Sequence, residues 1–577
     1  MAEGPTETPA FNFRKAFLWT EIFRCFQVAL DPRKLLVAAA GILVMSFGWH
    51  VLSIIFYTDQ PQRNDDGKYG NAVMQRQLGK KSDGSEQTEE DLTAEGNKQY
   101  NRDLAEWKVR HDLAGKDKDG NSTGQLRTMP WYEYRGPNPY LLVTKLIGGS
   151  STEISEGFSE FLIGTLPVLV EPLRKQLLPI VKLMDPDASL VTRLYLILAL
   201  LWSLATWAFF GGIITRISAV QFAGKERISL MQAVKFVSRR YLSYVLSPLV
   251  PLIVITIIVV LLALYGVVGM IPGVGDILLY GIGMPLVLIG GIAIAILLVG
   301  LIGYPMMYTT ISAEGSDTFD ALSRSYNYVF QAPWAYLWNC FVAIVYGAIV
   351  TFFVVFIGSL MVYAGKWAIC QAPFNESANR KPDYLFIYAP ESFGWKELLL
   401  KGSPIEQEAT ETKDESSKRP RVIYKDKNPS EAKVYRDKLW VVEKIGAGMV
   451  TFWLVLVFLL VIGFSYSYFW TASTMIYLLM RKKVDETELD EVYVEDEQPT
   501  SPFTPPVAPP PVSPSPTHSL PMVPPSLPVS PPPPPAVSPP PPIAPPPPVV
   551  PPPPVLPPPA SSTDEMTMPD NDEPKPL

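Results

Sequence analysis

The chain has 577 residues, of which 48% are hydrophobic, and a formal net charge of −7. This acidic balance disfavours nucleic-acid binding, which requires a clustered basic face. The three cysteines and three histidines are too scattered for a disulfide framework or a metal site, so we expect no metal and no cofactor.

The first distinctive pattern is an aromatic stripe with basic flanks at residues 11–30. It predicts an amphipathic helix that lies in the membrane interface or packs on the protein's own membrane domain. The helix should end at Asp31, because a proline disfavours helical backbone at the residue before it. The first apolar run starts near Leu35 and is long enough to span, so we expect no cleavable signal peptide.

Long apolar runs dominate the chain as far as residue 480. A helix needs about 20 apolar residues to cross a hydrocarbon layer of about 30 Å. The sequence therefore predicts an integral membrane protein with an all-α bundle of about six transmembrane helices. The predicted segments are a cytoplasmic amphipathic segment at 1–34, spans at 35–57, 190–213, 244–268, 277–303, 335–364 and 447–480, outer segments at 58–189 and 365–446, inner loops at 214–243 and 304–334, and a cytoplasmic tail at 481–577.

Basic residues set the expected orientation. They precede the first span at 33–34, occur in the first inner loop at 239–240 and follow the last span at 481–483. Cytoplasmic loops are enriched in Lys and Arg, so we expect both termini in the cytoplasm, with the protein in a bacterial inner membrane. His50, in the first span, is either a histidine near a helix end that reaches the interface or a proton or ligand site.

The outer segments carry weaker signals. Residues 86–114 predict a helix with a thin apolar face, and residues 117–121 predict a solvated turn, since a calcium loop needs further oxygen ligands. Residues 131–134 and 140–143, on either side of a Gly-Pro-Asn-Pro turn, predict two short strands. A third predicted strand at 384–388 could pair with them, which would form a small extramembrane α+β region.

Residues 153–184 mix apolar side chains with charged ones and are interrupted by prolines. Charges near the middle of such a segment make it costly to span the membrane. We predict a broken amphipathic helix on the outer surface. The alternative is a re-entrant segment, which would change the architecture.

The C-terminal part differs sharply in composition. Residues 485–497 are acidic, and residues 499–559 are mostly proline. Proline lacks the amide hydrogen and fixes φ, so we predict a disordered tail with extended polyproline II segments. Such segments dock into aromatic grooves, so the tail either binds a protein partner or serves as a spacer.

The two inner loops resemble each other. Ile-Ser-Ala occurs at 217–219 and at 311–313, and a hydroxyl residue follows each copy, Ser229 in the first and Thr318 in the second. Either hydroxyl could cap a short amphipathic helix. Both copies follow an inward span and precede an outward one, so the repeat would be parallel. The alternative is that any two inner loops need a cap and a small residue.

This unit of span, interfacial helix and span resembles the multi-pass membrane domains found beside some bacterial glycerophosphodiester phosphodiesterases. The resemblance lies in residues 312–315 and 320–322 and in the closing sequences at 476–485 and 490–493. Residues 11–497 as a whole resemble uncharacterised multi-pass membrane proteins of planctomycete-type bacteria. The sequence contains no catalytic phosphodiesterase domain, so the resemblance implies a membrane domain and no activity.

The sequence bears on three classes of function: an enzyme, a transporter or channel, and a scaffold or interaction protein. No recognisable nucleophile, base and metal arrangement is present, so we predict no enzyme and no catalytic, cofactor-binding or metal residue. Prolines and glycines interrupt the central spans, which can mark the substrate site of a transporter, but small residues also let helices pack closely, and we favour that interpretation because no ionisable residue lies in mid-span. By elimination the sequence favours a non-enzymatic envelope scaffold or interaction protein that contacts the lipid bilayer, with a protein partner for residues 499–559 and no nucleic acid. The alternative is a membrane transporter or channel for an unidentified solute.

Overall fold

The computed structural model describes residues 17–56, 61, 89–114, 129–133, 135–136, 138–148, 168–184, 188–225, 227–273, 275–372, 382–412 and 421–494. All of them belong to one compact unit, Met1–Asp496. The predicted turn at 117–121 and the predicted proline-rich tail at 499–559 lie outside the described residues.

The described chain is mainly helical. Its α-helices are α1 (Arg24–Ala29), α2 (Pro32–Ile55), α3 (Glu89–Ala114), α4 (Pro139–Gly148), α5 (Glu171–Leu183), α6 (Leu190–Phe222), α7 (Leu230–Arg239), α8 (Tyr241–Gly269), α9 (Met284–Leu301), α10 (Tyr304–Glu314), α11 (Thr318–Gln331), α12 (Pro333–Cys370), α13 (Trp395–Leu400), α14 (Pro429–Lys438) and α15 (Val441–Val484). Short 3-10 helices occupy Leu18–Phe23, Pro130–Tyr132, Pro382–Phe386 and Ser392–Gly394, and a π-helix occupies Gly275–Ile282.

Six of the described helices are long and apolar enough to cross a membrane, namely α2, α6, α8, α9, α12 and α15. The chain is therefore a multi-pass membrane protein that contacts the lipid bilayer, and the predicted number of spans is confirmed for the described residues. Helices α12 and α15 have 38 and 44 residues, so they tilt or protrude beyond a layer that about 20 residues can cross. We call the end of the bundle at which α2 begins the near end, and the opposite end the far end.

The centre of the bundle is the contact of α2 with α6 and α15. Small residues let these helices approach closely: Gly48 lies under the Trp202 ring, and Gly463 lies against the backbone of α2 at Leu35. Helices α8 and α9 differ, because only 17% and 11% of their most apolar windows are buried. Most of their side chains are therefore exposed on the surface of this chain.

Amphipathic helices lie at the near end, as predicted. The Ser229 side chain accepts a hydrogen bond from the Gln232 amide and caps α7, which buries Phe236 and Val237. The cap of α11 is Asp317 rather than the predicted Thr318, because the aspartate accepts from the Asp320 amide at 2.9 Å. The order of span, amphipathic helix and span occurs twice, in α6–α7–α8 and in α9 to α12.

The three strands predicted at 131–134, 140–143 and 384–388 are wrong, since the described residues there form helices, a bend and a turn. The Asn138 side chain accepts from the Tyr140 amide at 2.9 Å and, with proline at the next position, starts α4. The strands that the structure does contain are β1 (Gln407–Thr412) and β2 (Arg421–Asp426), which pair antiparallel with Gln407 opposite Asp426. The predicted α+β region is therefore replaced by a mainly helical region with one strand pair.

We expect the near end to face the cytoplasm. In a background without Cys25, Cys340 and Cys370, an impermeant maleimide should label Lys401→Cys in intact cells, because Lys401 is exposed at the far end. Met231→Cys, which is 74% exposed on α7, should be labelled only after permeabilisation. Labelling of Met231→Cys alone in intact cells would reverse the orientation.

Candidate functional site: a polar interior in the bundle

Helix α5 begins inside the bundle, which contradicts the prediction that residues 153–184 form a surface helix. Its Lys175 ammonium lies 6.0 Å from the centre of the Trp49 ring, and the Trp49 indole donates to Ser203 Oγ at 3.1 Å. Ser203 is roughly 20 Å along α6 from Leu190, at about 1.5 Å per residue. The start of α5 therefore lies well below the far end, which favours the re-entrant alternative for the described residues 168–184.

An ion-pair network occupies the start of α5. Arg135 donates to both oxygens of the Glu171 carboxylate, at 3.0 and 3.1 Å, and both side chains are 2% exposed. The Lys175 ammonium also pairs with Glu171, and the Tyr466 hydroxyl of α15 donates to it at 3.0 Å. Burial alone would raise the pKa of Glu171, but the charges of Arg135 and Lys175 outweigh burial and hold this pKa well below its usual range. Glu171 is therefore ionised.

Arg135 also joins segments that are far apart in the chain. Its guanidinium donates to Glu133 at 2.8 Å, to Ser392 Oγ at 3.0 Å and to the Pro130 carbonyl. Ser392 belongs to the second of the two long predicted outer segments, and Glu133 to the first. Both segments are thus fixed to the bundle through one side chain.

A second group in the interior is polar but uncharged. It consists of Gln176 on α5, Tyr304 and Tyr308 at the start of α10, and Trp470 on α15, each no more than 4% exposed. The Gln176 amide atoms, the two hydroxyls and the Trp470 indole nitrogen have no hydrogen-bond partner among the described residues. Each such buried group costs about 1–3 kcal/mol when it is left unpaired. We call these four residues the uncharged cluster.

Ring contacts connect the two groups to each other. Tyr466, which binds Glu171, stacks on Trp207 with ring centres 4.8 Å apart, and Trp207 lies 6.2 Å from Trp470. Trp470 in turn stacks on Tyr308 at 5.2 Å. The Gln176 amide lies close to the Tyr304 hydroxyl.

The polar contacts continue to the near end. Tyr308 lies edge-on to Tyr244, whose hydroxyl is 2.7 Å from Ser312 Oγ. Ser312 Oγ is 2.6 Å from Thr215 Oγ1, and the Ser312 carbonyl accepts from Arg216 at 2.7 Å. We call this connected set the interior polar file; it comprises Arg135, Glu171, Tyr466, Gln176, Trp207, Trp470, Tyr304, Tyr308, Tyr244, Ser312, Thr215 and Arg216.

Residues 485–494 cover the near end of the file. Arg216 donates to the Tyr493 carbonyl at 2.8 Å, and the Tyr493 amide donates to the Ala313 carbonyl at 2.7 Å. Arg481 holds the same segment by donating to the carbonyls of Glu488 and Glu491, at 3.1 and 2.6 Å. We call residues 485–494 the strap.

Several residues singled out in the sequence lie in or near this interior. Ser312, in the second Ile-Ser-Ala copy, belongs to the file. Ser218, in the first copy, accepts at 3.2 Å from the ammonium of Lys34, which is fully buried and also donates to Gln221 at 3.0 Å. His50 lies towards the far end of α2, where its Nδ1 has no partner in the described structure.

Sequence reasoning missed Arg135, Glu171 and the uncharged cluster. It placed all ionisable groups outside the spans, because Glu171 comes from a segment too charged to span. The signal that could have found the site is the i,i+4 spacing of Glu171 and Lys175, which pairs the two charges on one helix face.

The chain matches no protein-family model, no curated protein and no solved structure. The resemblance to membrane domains beside phosphodiesterases therefore stays a prediction. Among the described residues, no group of three His, Cys, Asp or Glu side chains could hold a metal ion.

Loss of one partner of a buried ion pair leaves the other charge uncompensated. Arg135→Met should therefore lower the free energy of unfolding by about 3–5 kcal/mol, measured by denaturant unfolding in detergent. Lys482→Gln, which removes a partly exposed pair with Glu488, should cost no more than about 1 kcal/mol. Equal effects of the two substitutions would contradict the assignment of a buried pair.

Proposed function

We propose that this multi-pass membrane protein moves a small solute across the membrane through the interior of its bundle. The observation that carries the proposal is the interior polar file, which runs from Glu171 to Arg216 inside helices that are otherwise apolar. Polar and ionised groups inside a membrane protein are energetically unfavourable, and they commonly mark the path of a substrate or ion. A protein that served only as an anchor could pack its spans with small apolar residues.

Two helix breaks support the same proposal. Helix α5 starts inside the bundle, and the chain breaks at Gly303 between α9 and α10. Both breaks meet at the uncharged cluster, since Gln176 lies on α5 and Tyr304 begins α10. Discontinuous helices in secondary transporters commonly form the substrate site. The sequence places no ionisable group in mid-span, which disfavours transport. The Glu171 ion pair supplies ionised groups inside the bundle from a segment that is not a span, and this supports transport.

The proposed function is non-enzymatic. The ionised groups at the start of α5 bind one another: both Glu171 oxygens accept from Arg135, and Lys175 pairs with Glu171 and Glu133. Catalysis would need a nucleophile and a base within mutual reach of a reacting atom. Groups that are already paired in this way are more suited to holding helices in place.

A scaffold that binds a protein partner is the second candidate. It is favoured by Arg135, which fixes both extramembrane segments to the bundle, and by the strap, which holds the chain at the near end just before the proline-rich residues begin. A fixed platform on one side and a tethered tail on the other would suit an interaction protein.

Transport is tested with purified protein in proteoliposomes. Light scattering should show that a concentrated external solute enters these vesicles faster than it enters protein-free vesicles. Tyr244→Phe, which removes a hydroxyl from the file, should slow solute entry about tenfold. The matched control is Tyr241→Phe, because the Tyr241 hydroxyl donates to the Ala205 carbonyl outside the file. Vesicles that admit no solute faster than protein-free ones would overturn the proposal.

The scaffold candidate predicts a different result. Proteins that co-purify with the intact chain after cross-linking should be lost when residues 499–577 are deleted, while solute entry into proteoliposomes stays unchanged. An unchanged set of partners after this deletion would remove the main support for a scaffold.

A further inference from the structure

The uncharged cluster has a feature that internal packing does not explain. Gln176, Tyr304, Tyr308 and Trp470 come from three helices, and all turn unpaired polar atoms into the bundle interior. Folded proteins leave few buried polar groups without a partner, and such groups call for an unseen ligand, ion or water. Several at one place, where two helix breaks meet, indicate a site that is filled in the working protein.

The chemistry of the four side chains defines what could fill the site. The Trp470 indole only donates a hydrogen bond, the two tyrosine hydroxyls donate or accept, and the Gln176 amide does both. None of the four carries a formal charge at neutral pH. The nearest ionised side chain along the chain, Lys175, already pairs with Glu171 and Glu133. An ion would therefore lack a counter-charge here.

The aromatic rings determine which polar atoms an occupant could reach. Tyr308 stacks on Trp470 with an interplanar angle of 10° and lies 5.4 Å from Tyr304 between ring centres. These rings leave the occupant to contact the edges, where the hydroxyls and the indole nitrogen lie. A small molecule with hydrogen-bonding groups on more than one side fits this arrangement.

We propose that Gln176, Tyr304, Tyr308 and Trp470 bind a small uncharged solute that both donates and accepts hydrogen bonds, such as a polyol or a small amide. This inference rests on the proposed transport function and names its substrate class. Among the described residues of the file, only these four form a group whose polar atoms are uncharged and have no hydrogen-bond partner. A solute bound here would supply the partners that the protein lacks.

The test uses full-length protein in detergent and measures the shift in melting temperature with erythritol, xylitol, urea and acetamide, with sodium glutamate and choline chloride as charged probes. The wild type should be stabilised by a polyol or an amide and not by the charged probes. Stabilisation by erythritol or xylitol would indicate a polyol, and stabilisation by urea or acetamide would indicate a small amide.

Two substitutions remove the unpaired groups and keep the shape of the site. Tyr304→Phe and Gln176→Leu should each weaken solute binding at least tenfold, yet the solute-free variants should melt at the wild-type temperature or above, since no internal hydrogen bond is lost. The control is Tyr468→Phe, whose hydroxyl donates to the Ala343 carbonyl at 2.9 Å on the same helix as Trp470. It should lower the melting temperature and leave solute affinity unchanged.

The outcomes separate the site from the function. If no uncharged solute stabilises the wild type, the cluster holds water only and the proposal fails. If a charged probe binds more tightly, the substrate class is wrong. If Tyr304→Phe binds and transports as the wild type does, transport stands and the site is overturned. If binding depends on Tyr304 but vesicles admit no solute, the site stands and the transport function fails.

Discussion

The ion pair between Arg135 and Glu171 is the constraint on which the interior of this protein depends. Two charges removed from water are stable only with near-ideal geometry and with their remaining hydrogen-bonding capacity filled. Here Tyr466, Ser392 and Lys175 fill it, and each comes from a different part of the chain or a different turn of helix. The pair therefore fixes α5, α15 and the segments that contain Glu133 and Ser392 at one point. Helix α5 cannot leave the bundle without exposing a charge to an apolar environment.

The surrounding helices show why the bundle tolerates this polarity. Glycines at positions 41, 48 and 463 bring α2 close to α6 and α15, and large aromatic rings fill the space between these helices. Trp207 on Tyr466 and Trp470 on Tyr308 are both stacked pairs, so rings pack the interior along the file. The exposed pair α8 and α9 contributes little to this core. Polarity is thus confined to the inner contacts of the best-packed helices.

How much could be predicted from the sequence depends on the range of the interaction. The spans follow from local apolar runs, so the predicted span at 244–268 agrees well with α8 (Tyr241–Gly269), and six spans are found. The predicted strand at 140–143 failed because Asn138 and the proline after it start a helix, a local signal that was overlooked. The sequence predicts Lys34 to be a cytoplasmic flank of the first span, yet it is buried because Ser218 and Gln221, more than 180 positions away, accept hydrogen bonds from its ammonium. Such distant contacts leave no periodic trace in the sequence, and the same is true of the uncharged cluster.

The two Ile-Ser-Ala copies show how a repeated unit can acquire two roles. In the first copy Ser218 lies 3.1 Å from the Thr471 hydroxyl and binds Lys34, so α6, α2 and α15 are tied together by a closed polar contact. In the second copy Ser312 instead faces Tyr244 and Thr215, and its carbonyl binds Arg216 beneath the strap. The first copy therefore fixes the central helices, and the second continues the polar file. The strap is held by the guanidinium groups of Arg216 and Arg481, which donate to its backbone carbonyls, and by the ion pair of Lys482 with Glu488.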